Sequence, residues 1–545
     1  MNDTQDSQST SFQDVKQLGL VAAVMSLGYV FWVLGGMEMI ERLAYYGVKA
    51  VAAIYATDPV SDGGLGVTPT QFGTLLMVWA FVQTFLPVLT GGLSDRYGYK
   101  ETIFVSTVVK IIGYLLMAWF PTYWGFFGGA IVLATGTAIF KPGIQGTLVK
   151  TTNRYNSSVA WGIFYQTVNI GGFLGPLVAG LLRKMEWTYV FYACAGIISI
   201  NFLLLLTYRE VNKDERLERN RLVREGLIER PDLLRESIRE LVKPHVWTYL
   251  LLFSGFWFMF NALFDVLPLH IDDWVDTSDI IATLFHGGRS ENAIVNFFVI
   301  TNEDGTAIEP EGMLNFNAGL IMTTCFFFAW ISGKMRATTS MVVGTLFSSS
   351  AMFLIGWSTL GWAVLAAIAI FSIGEMLSSP KFSEFIGNFA PPDKKAMYLG
   401  FSQMPLAIGW TLEAQIAPVL YDRSASKDRL SRTELLERMD AGTTTLPPPA
   451  EIEALVANTD VSMEELRALH VDDAKAFVDT LPQGEAFDWL VVLTGDTPAA
   501  MTELLYTTNN IGLVWYVLGG IGIVTAIGIW QYGRWILTLQ TDDRQ

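Results

Sequence analysis

Apolar residues run through this chain in long blocks rather than at the spacing of a soluble core. With about 20 consecutive apolar residues as the length that crosses a bilayer, the sequence predicts twelve helical spans. Six centre near Val33, Val82, Gly113, Leu133, Gly171 and Ile198, and six near Phe258, Cys325, Phe347, Phe371, Ala407 and Ile523. Between the two sets lies Arg209–Lys243, where charges of alternating sign recur at helical spacing, the pattern of a solvated helix pair. The expected architecture is an all-α membrane protein with two six-helix bundles. Its divisions are residues 1–208 (first bundle), 209–245 (linker), 246–421 (helices 7–11), 422–510 (an external, mostly helical insert) and 511–545 (helix 12 and tail).

One block breaks its own pattern. The first apolar run contains Gly36-Met37-Glu38-Met39-Ile40-Glu41-Arg42-Leu43-Ala44-Tyr45-Tyr46-Gly47-Val48-Lys49. A charge inside a bilayer costs about 3 kcal/mol on insertion scales, so such groups persist when they face a cavity and have partners. At about 100° per residue, Glu38, Glu41, Arg42, Tyr45 and Lys49 share one arc of the helix. That stripe reads as one wall of a pathway.

Composition agrees with a membrane protein: of 545 residues, 51% are hydrophobic and 16% charged, against roughly 25% charged in soluble domains. Mean hydropathy is +0.37. The net charge of −16 is local, with roughly −8 in Ile271–Glu311 and roughly −10 in Asp422–Asn510. It therefore signals neither nucleic acid nor an anionic surface as a partner. Arg96 and Lys100, Lys150 and Arg154, the linker, Lys334 and Arg336, and Lys394 and Lys395 all fall in loops on one side. By the positive-inside rule that side is cytoplasmic, with both termini inside. The polar residues Met1–Gln17 lack a basic start and a cleavage site, so the first run is expected to be retained. Cys194 and Cys325 sit in apolar segments with no disulfide or metal spacing. No nucleophile–base arrangement, metal cluster or phosphate loop is present, which argues against an enzyme and against any cofactor.

The outward segments carry signals of their own. Ile294–Ile308 alternates around Glu303-Asp304-Gly305, a hairpin pattern. Ser431-Arg432-Thr433-Glu434 and Ser462-Met463-Glu464-Glu465 fit helix-opening capping boxes. Pro447–Pro449 and Thr497-Pro498 add helix-start punctuation. The insert is longer than a connecting loop needs to be, and a structural, lid or partner role is open.

Two motifs then give the chain a resemblance. Gly92-Leu93-Ser94-Asp95-Arg96-Tyr97-Gly98-Tyr99-Lys100 resembles the signature of the major facilitator superfamily between its second and third spans. There Asp95 would bond a neighbouring helix N-terminus, and Arg96 would help latch the halves. Glu38 to Gly47, as Glu-x-x-Glu-Arg-x-x-Tyr-Tyr-Gly, is similar to the first-helix signature of the proton-dependent oligopeptide transporters. Lys141-Pro142, Phe164-Tyr165 with Asn169-Ile170-Gly171, Asn317, and Gly374-Glu375 with Ser379-Pro380 match further landmarks of that family in order. One landmark departs: where its seventh helix usually carries a glutamate, this chain has Phe260-Asn261, and the nearest acid is Asp265. Glu413 in the eleventh span is a further acid outside the family pattern.

The resemblance implies a proton-coupled symporter that imports di- or tripeptides or peptide-like solutes by alternating access, a multi-pass protein of a bacterial inner membrane. A related transporter of an organic anion or drug-like compound is the nearest alternative, and a sensor or assembly protein on this scaffold a more distant one. Physically, a proton-driven cycle needs a carboxylate that titrates and exchanges a cationic partner. Glu38 and Glu41 facing Lys141 would supply it. The substrate site would comprise Arg42, Tyr45, Tyr46, Lys49, Lys141, Asn169, Asn261, Asn317 and Glu375. Arg42 with Lys49 would take a carboxylate, and Glu375 on the opposite wall an ammonium. Lys381 and Glu384 read as a gate or surface pair. Pro142, Pro176, Pro380 and Pro405 read as helix kinks.

Overall fold

The computed structural model describes residues 18–57, 63–65, 69–153, 155–183, 185–227, 232–286, 290, 292, 299–302, 304–442, 475, 478–479, 481 and 486–542. The first half runs through α1 (Leu20–Met25), α2 (Tyr29–Thr57), α3 (Pro69–Phe85), α4 (Pro87–Tyr97), α5 (Tyr99–Trp119), α6 (Tyr123–Thr151), α7 (Ser157–Arg183) and α8 (Trp187–Leu206). The linker forms α9 (Lys213–Arg224) and α10 (Leu233–Leu241). The second half follows as α11 (Pro244–Asp265), α12 (Leu267–Trp274), α13 (Ser278–Phe285), α14 (Pro310–Ser332), α15 (Ala337–Trp357), α16 (Gly361–Phe389), α17 (Lys395–Phe401) and α18 (Met404–Ser424). Then come the insert helices α19 (Lys427–Asp440), α20 (Ala486–Thr494) and α21 (Pro498–Thr508), and the last span, α22 (Leu513–Asp542).

A helix covers each of the twelve expected span centres. Among the described residues, nine spans are long and apolar enough to cross a bilayer by length and hydropathy. Helices α2, α7 and α18 fall outside that set; α2 carries Glu38, Glu41, Arg42 and Lys49, and α18 carries Glu413. The charged helix α2 is gripped closely. A Cβ on Gly175 of α7 would sit 2.5 Å from the Leu43 carbonyl oxygen, so only glycine lets these two backbones meet. Helices α6, α7 and α16 run on through Pro142, Pro176 and Pro380. Pro405, expected as a kink, instead opens α18 in its first turn, where its missing N–H costs nothing.

The linker ties both halves together. On α9, Glu215 pairs with Lys150 at 2.6 Å, Arg216 with Glu101 at 2.8 Å and Arg219 with Asp393 at 3.6 Å, the last across the halves. On α10, Lys394 pairs with Glu236 and Glu240 at 2.9 Å each, and the Tyr398 hydroxyl donates to Glu240 at 2.7 Å. Helix α10 also packs on α4 of the first half. Burial alone would raise the Glu240 pKa, but hydrogen bonds from Lys243, Lys394 and Tyr398 outweigh it and bring the group down from 4.5 to about 2. A depressed carboxylate contributes stability above its unfolded value that is lost as pH falls through the folded one. The clasp should therefore stay closed at neutral pH and open between about pH 4 and pH 2. Spin-label distances between α10 and residues 394–398 would follow it; a distance unchanged at pH 2.5 would refute this.

The insert departs from expectation in detail. Helix α19 starts at Ser426, whose side chain accepts from the Arg429 N–H at 3.4 Å. Ser431, read as a cap, lies inside the helix and donates to the Lys427 carbonyl at 2.7 Å, because Ser426 already offers a free N-cap oxygen one turn earlier. Thr497 does cap α21, with Pro498 in its first turn. Ser462–Glu465 and Pro447–Pro449 lie outside the described residues. Of the hairpin, the described part is a turn: one antiparallel bridge joins Thr301 and Ile308, and the Asn302 N–H donates to the Ala307 carbonyl at 3.1 Å. Residues 293–298 and 303 lie outside the described set.

Candidate functional site

The polar stripe of α2 is buried. Glu38, Glu41 and Arg42 are at most 4% exposed. Glu38 Oε1 accepts from Lys141 of α6 and faces Arg42 Nε at 3.5 Å. Glu41 Oε2 pairs with Arg42, and Glu41 Oε1 accepts from Lys110 Nζ at 2.7 Å. The expectation that Lys141 serves both carboxylates is thus corrected. On a helix residues 38 and 41 lie about 60° apart, one turn along the axis from each other, and each acid meets a different neighbour: α6 offers Lys141 to one, α5 offers Lys110 to the other. Lys110 is fully buried, with its ammonium 3.8 Å from the Phe140 ring centre.

The two acids differ in what remains unused. Both oxygens of Glu41 are engaged, whereas the buried Glu38 Oε2 finds no protein partner. Two carboxylates face three cations, which leaves one positive charge without a matching negative one when all are ionised. The Arg42 guanidinium lies 4.7 Å from the Tyr45 ring centre and 5.7 Å from that of Tyr46, and Lys49 Nζ lies 4.8 Å from that of Trp79. These contacts spread positive charge over aromatic faces.

This cluster borders a cavity of about 280 Å³ between the halves, into which Arg42, Tyr45, Tyr46, Lys49 and Lys141 all project. The second half contributes Trp257, Phe260, Phe382, Gln403 and Trp410. Four expected contacts, Glu375, Asn317, Asn169 and Asn261, lie elsewhere. Glu375 is buried behind the wall, where Tyr165 of α7 donates to Oε1 and Asn317 of α14 donates to Oε2 at 3.2 Å. Asn317 also donates to Ser372 at 2.9 Å. Asn169 donates to the Tyr165 carbonyl one turn back at 3.0 Å, so it serves its own helix rather than the cavity. Asn261 bridges Asp265 and Glu413, with Asp265 Oδ2 at 2.7 Å. Glu413 is fully buried.

Beneath the cavity, the end carrying the linker is shut. Ser157 and Ser158 of α7 donate to Glu384 of α16, which Lys381 also meets at 2.8 Å. Lys381 and Glu384, both on α16, are therefore a buried pair rather than a surface one, and both reach the serines of the first half, Lys381 donating to Ser158 at 2.6 Å. Asp95 accepts from the Ala396 and Met397 N–H groups at 3.1 and 2.8 Å, at the start of α17, and from the Tyr99 hydroxyl at 2.8 Å. A Cβ on Gly91 would stand 2.5 Å from the Ala396 carbonyl oxygen, so the halves touch here through bare backbone. Arg96 lines the pocket beside this contact together with Arg219 and Lys394. Asp95→Ala should strip two backbone donors of their acceptor, about 2 kcal/mol of closure. Label distances between α4 and α17 should then broaden toward longer values; an unaltered distribution would count against the latch.

Two helical halves that close one end over a charged, aromatic-walled cavity define a membrane transporter. The chain belongs to the Major Facilitator Superfamily, whose family model matches residues 39–412. It is similar to the multidrug resistance protein MdtH of Photorhabdus laumondii, 21% identical over 412 residues, covering 74% of this chain and 89% of that one. It is also 30% identical over 178 residues to the peptide transporter YePEPT of Yersinia enterocolitica, covering 31% of this chain and 34% of the relative. In fold it resembles a mutant peptide transporter POT solved in complex with alafosfalin, with a TM-score of 0.52 at 16% identity, covering 95% of this chain and 99% of that one. A POT family transporter solved with 5-aminolevulinic acid gives a TM-score of 0.50 at 17% identity, over 73% and 94% of the two chains.

Proposed function

We propose that this chain is a proton-coupled symporter that imports di- or tripeptides or peptide-like solutes by alternating access through twelve spans. The linker and both termini would face the cytoplasm of a bacterial cell, which makes the structure outward-facing, its closed end inside. The observation that carries this reading is the difference between the two buried carboxylates. Glu38 has an oxygen with room for a proton beside an exchangeable partner, Lys141. A proton on Glu38 would weaken its hold on Lys141 and free that ammonium for a substrate carboxylate, which Arg42 and Lys49 also attract. Glu41, spanned by Arg42 and Lys110, keeps the guanidinium in place.

The contacts that close the inner end would break when the halves rock: Asp95 on α17, Glu384 on Ser157 and Ser158, and the α10 clasp. The hydrogen bond from Tyr165 to Glu375 joins the halves beside the cavity, so a substrate ammonium would reach Glu375 only by displacing that hydroxyl. The similarity to peptide transporters supports the peptide-like class, and the similarity to a multidrug resistance protein supports a tolerant one. Reconstitution in liposomes tests the reading. Radiolabelled dipeptide should accumulate when the outside is acid, and collapsing the gradient should stop it; equal uptake with and without the gradient would refute the coupling.

A further inference from the structure

The cavity has a sharply one-sided chemistry. Among the described residues its lining holds three cations, Arg42, Lys49 and Lys141, and no aspartate or glutamate. The acids nearby are turned to other partners. Glu38 and Glu41 are spanned by lysine and arginine, Glu375 is covered by Tyr165 and Asn317, and Asp265 and Glu413 are bridged by Asn261. Lys49 makes no ion pair within 4.0 Å among the described residues.

The unused polar atoms on the walls are mainly donors. Among the described residues, the indole N–H groups of Trp257 and Trp410 are buried without a partner, as are the Thr137 and Ser379 hydroxyls, which can donate or accept, and Gln145 Oε1, which can only accept. A buried donor left unsatisfied carries its full desolvation cost, so a ligand that brings acceptors relieves several such costs together. The remaining wall is aromatic: Trp79, Trp161 and Phe164 from one half, Trp257, Phe260 and Trp410 from the other. Such faces can attract an ammonium, yet Lys49 already occupies that of Trp79 and Arg42 that of Tyr45. An incoming ammonium would meet like charge on one side and uncharged indoles on the other.

We propose that the preferred cargo is a carboxylate with an aromatic or bulky apolar body and a masked amino end, such as an N-acylated aromatic dipeptide. A free α-ammonium weakens binding instead of anchoring it. This inference rests on the cavity being the transport site, and it narrows the peptide-like class to its anionic members. The carboxylate lies among Arg42, Lys49 and Lys141, the body lies between the aromatic walls, and amide carbonyls take the two indole donors.

Titration calorimetry on the full-length detergent-solubilised protein at pH 7 tests it with N-acetyl-Phe-Ala, Phe-Ala and phenethylamine. N-acetyl-Phe-Ala should bind about tenfold more tightly than Phe-Ala, and phenethylamine should not bind. Trp257→Phe keeps the ring and removes the donor, so it should cost N-acetyl-Phe-Ala about fivefold at an unchanged melting temperature. Trp410→Phe gives the same readout if the first variant folds poorly. Phe-Ala binding as tightly as its acetylated form, or neither binding, overturns the proposal. Proton-driven uptake of the same ligands separates this result from the symport reading. Phe-Ala bound preferentially and accumulated would sink the cargo assignment and keep symport; N-acetyl-Phe-Ala bound but never accumulated would do the reverse.

Discussion

Glu38→Gln is expected to abolish uptake against a gradient while leaving cargo exchange in place. Glutamine keeps the shape and one acceptor for Lys141, but it removes the charge and cannot cycle a proton. Lys141, which meets Glu38 Oε1, would then behave as if the carboxylate were permanently protonated. Binding should survive, because Lys141 and Arg42 still face the cavity. Counterflow needs the halves to rock but no net proton movement, so it should persist when pH-driven accumulation falls to the background of empty liposomes. Driven uptake within about twofold of the wild type would remove Glu38 from the coupling step. Glu41→Gln should look different, since both of its oxygens carry cations. Its first effect should be on folding and on Arg42 placement, and then on binding.

Lys110→Met should be the most destabilising single change in the transport core. The side chain is fully buried, and its ammonium meets Glu41 at 2.7 Å. Methionine fills similar volume, so the cost comes from Glu41 Oε1, left buried without its donor, rather than from a cavity. Removing one partner of a buried pair typically costs about 3–5 kcal/mol. The melting temperature should drop by several degrees. The double variant Lys110→Met with Glu41→Gln should recover part of the loss, because no carboxylate then remains short of a partner. A single variant as stable as the wild type, or a double variant worse than the sum of both singles, would contradict this account.

How much of this could be read along the chain differs by residue. Glu38, Glu41 and Arg42 announce themselves because charge inside an apolar run has few bland explanations. Asp95 is legible for a similar reason, standing in a short motif beside Arg96. Lys110 obeys the same rule without a motif to mark it: it is a lone cation in Thr107-Val108-Val109-Lys110-Ile111-Ile112. Position alone was a sufficient signal there. Glu375 shows the opposite limit. Its type and depth are readable, but the hydroxyl of Tyr165 that covers it comes from the other half, and no local pattern encodes a contact spanning 210 residues. The Asn261, Asp265 and Glu413 grouping is hidden likewise, since α11 and α18 meet only in the folded protein. The capping box at Ser431 failed because a better-placed serine stands one turn earlier.

The insert has one further mechanical consequence. Its described helices are fastened to the second half. Trp274 Nε1 donates to the Ala425 carbonyl at 2.7 Å, the Lys427 ammonium lies 4.0 Å from the Phe487 ring centre, and Trp274 packs against Tyr506. Arg432 then ties α19 to the carbonyls of Val478 and Leu481. When the halves tilt against each other, this mass travels with one of them like a lever arm. Small rotations at the cavity become larger displacements at its tip, which makes the insert a natural handle for an antibody fragment that stalls the tilt without touching the cargo path.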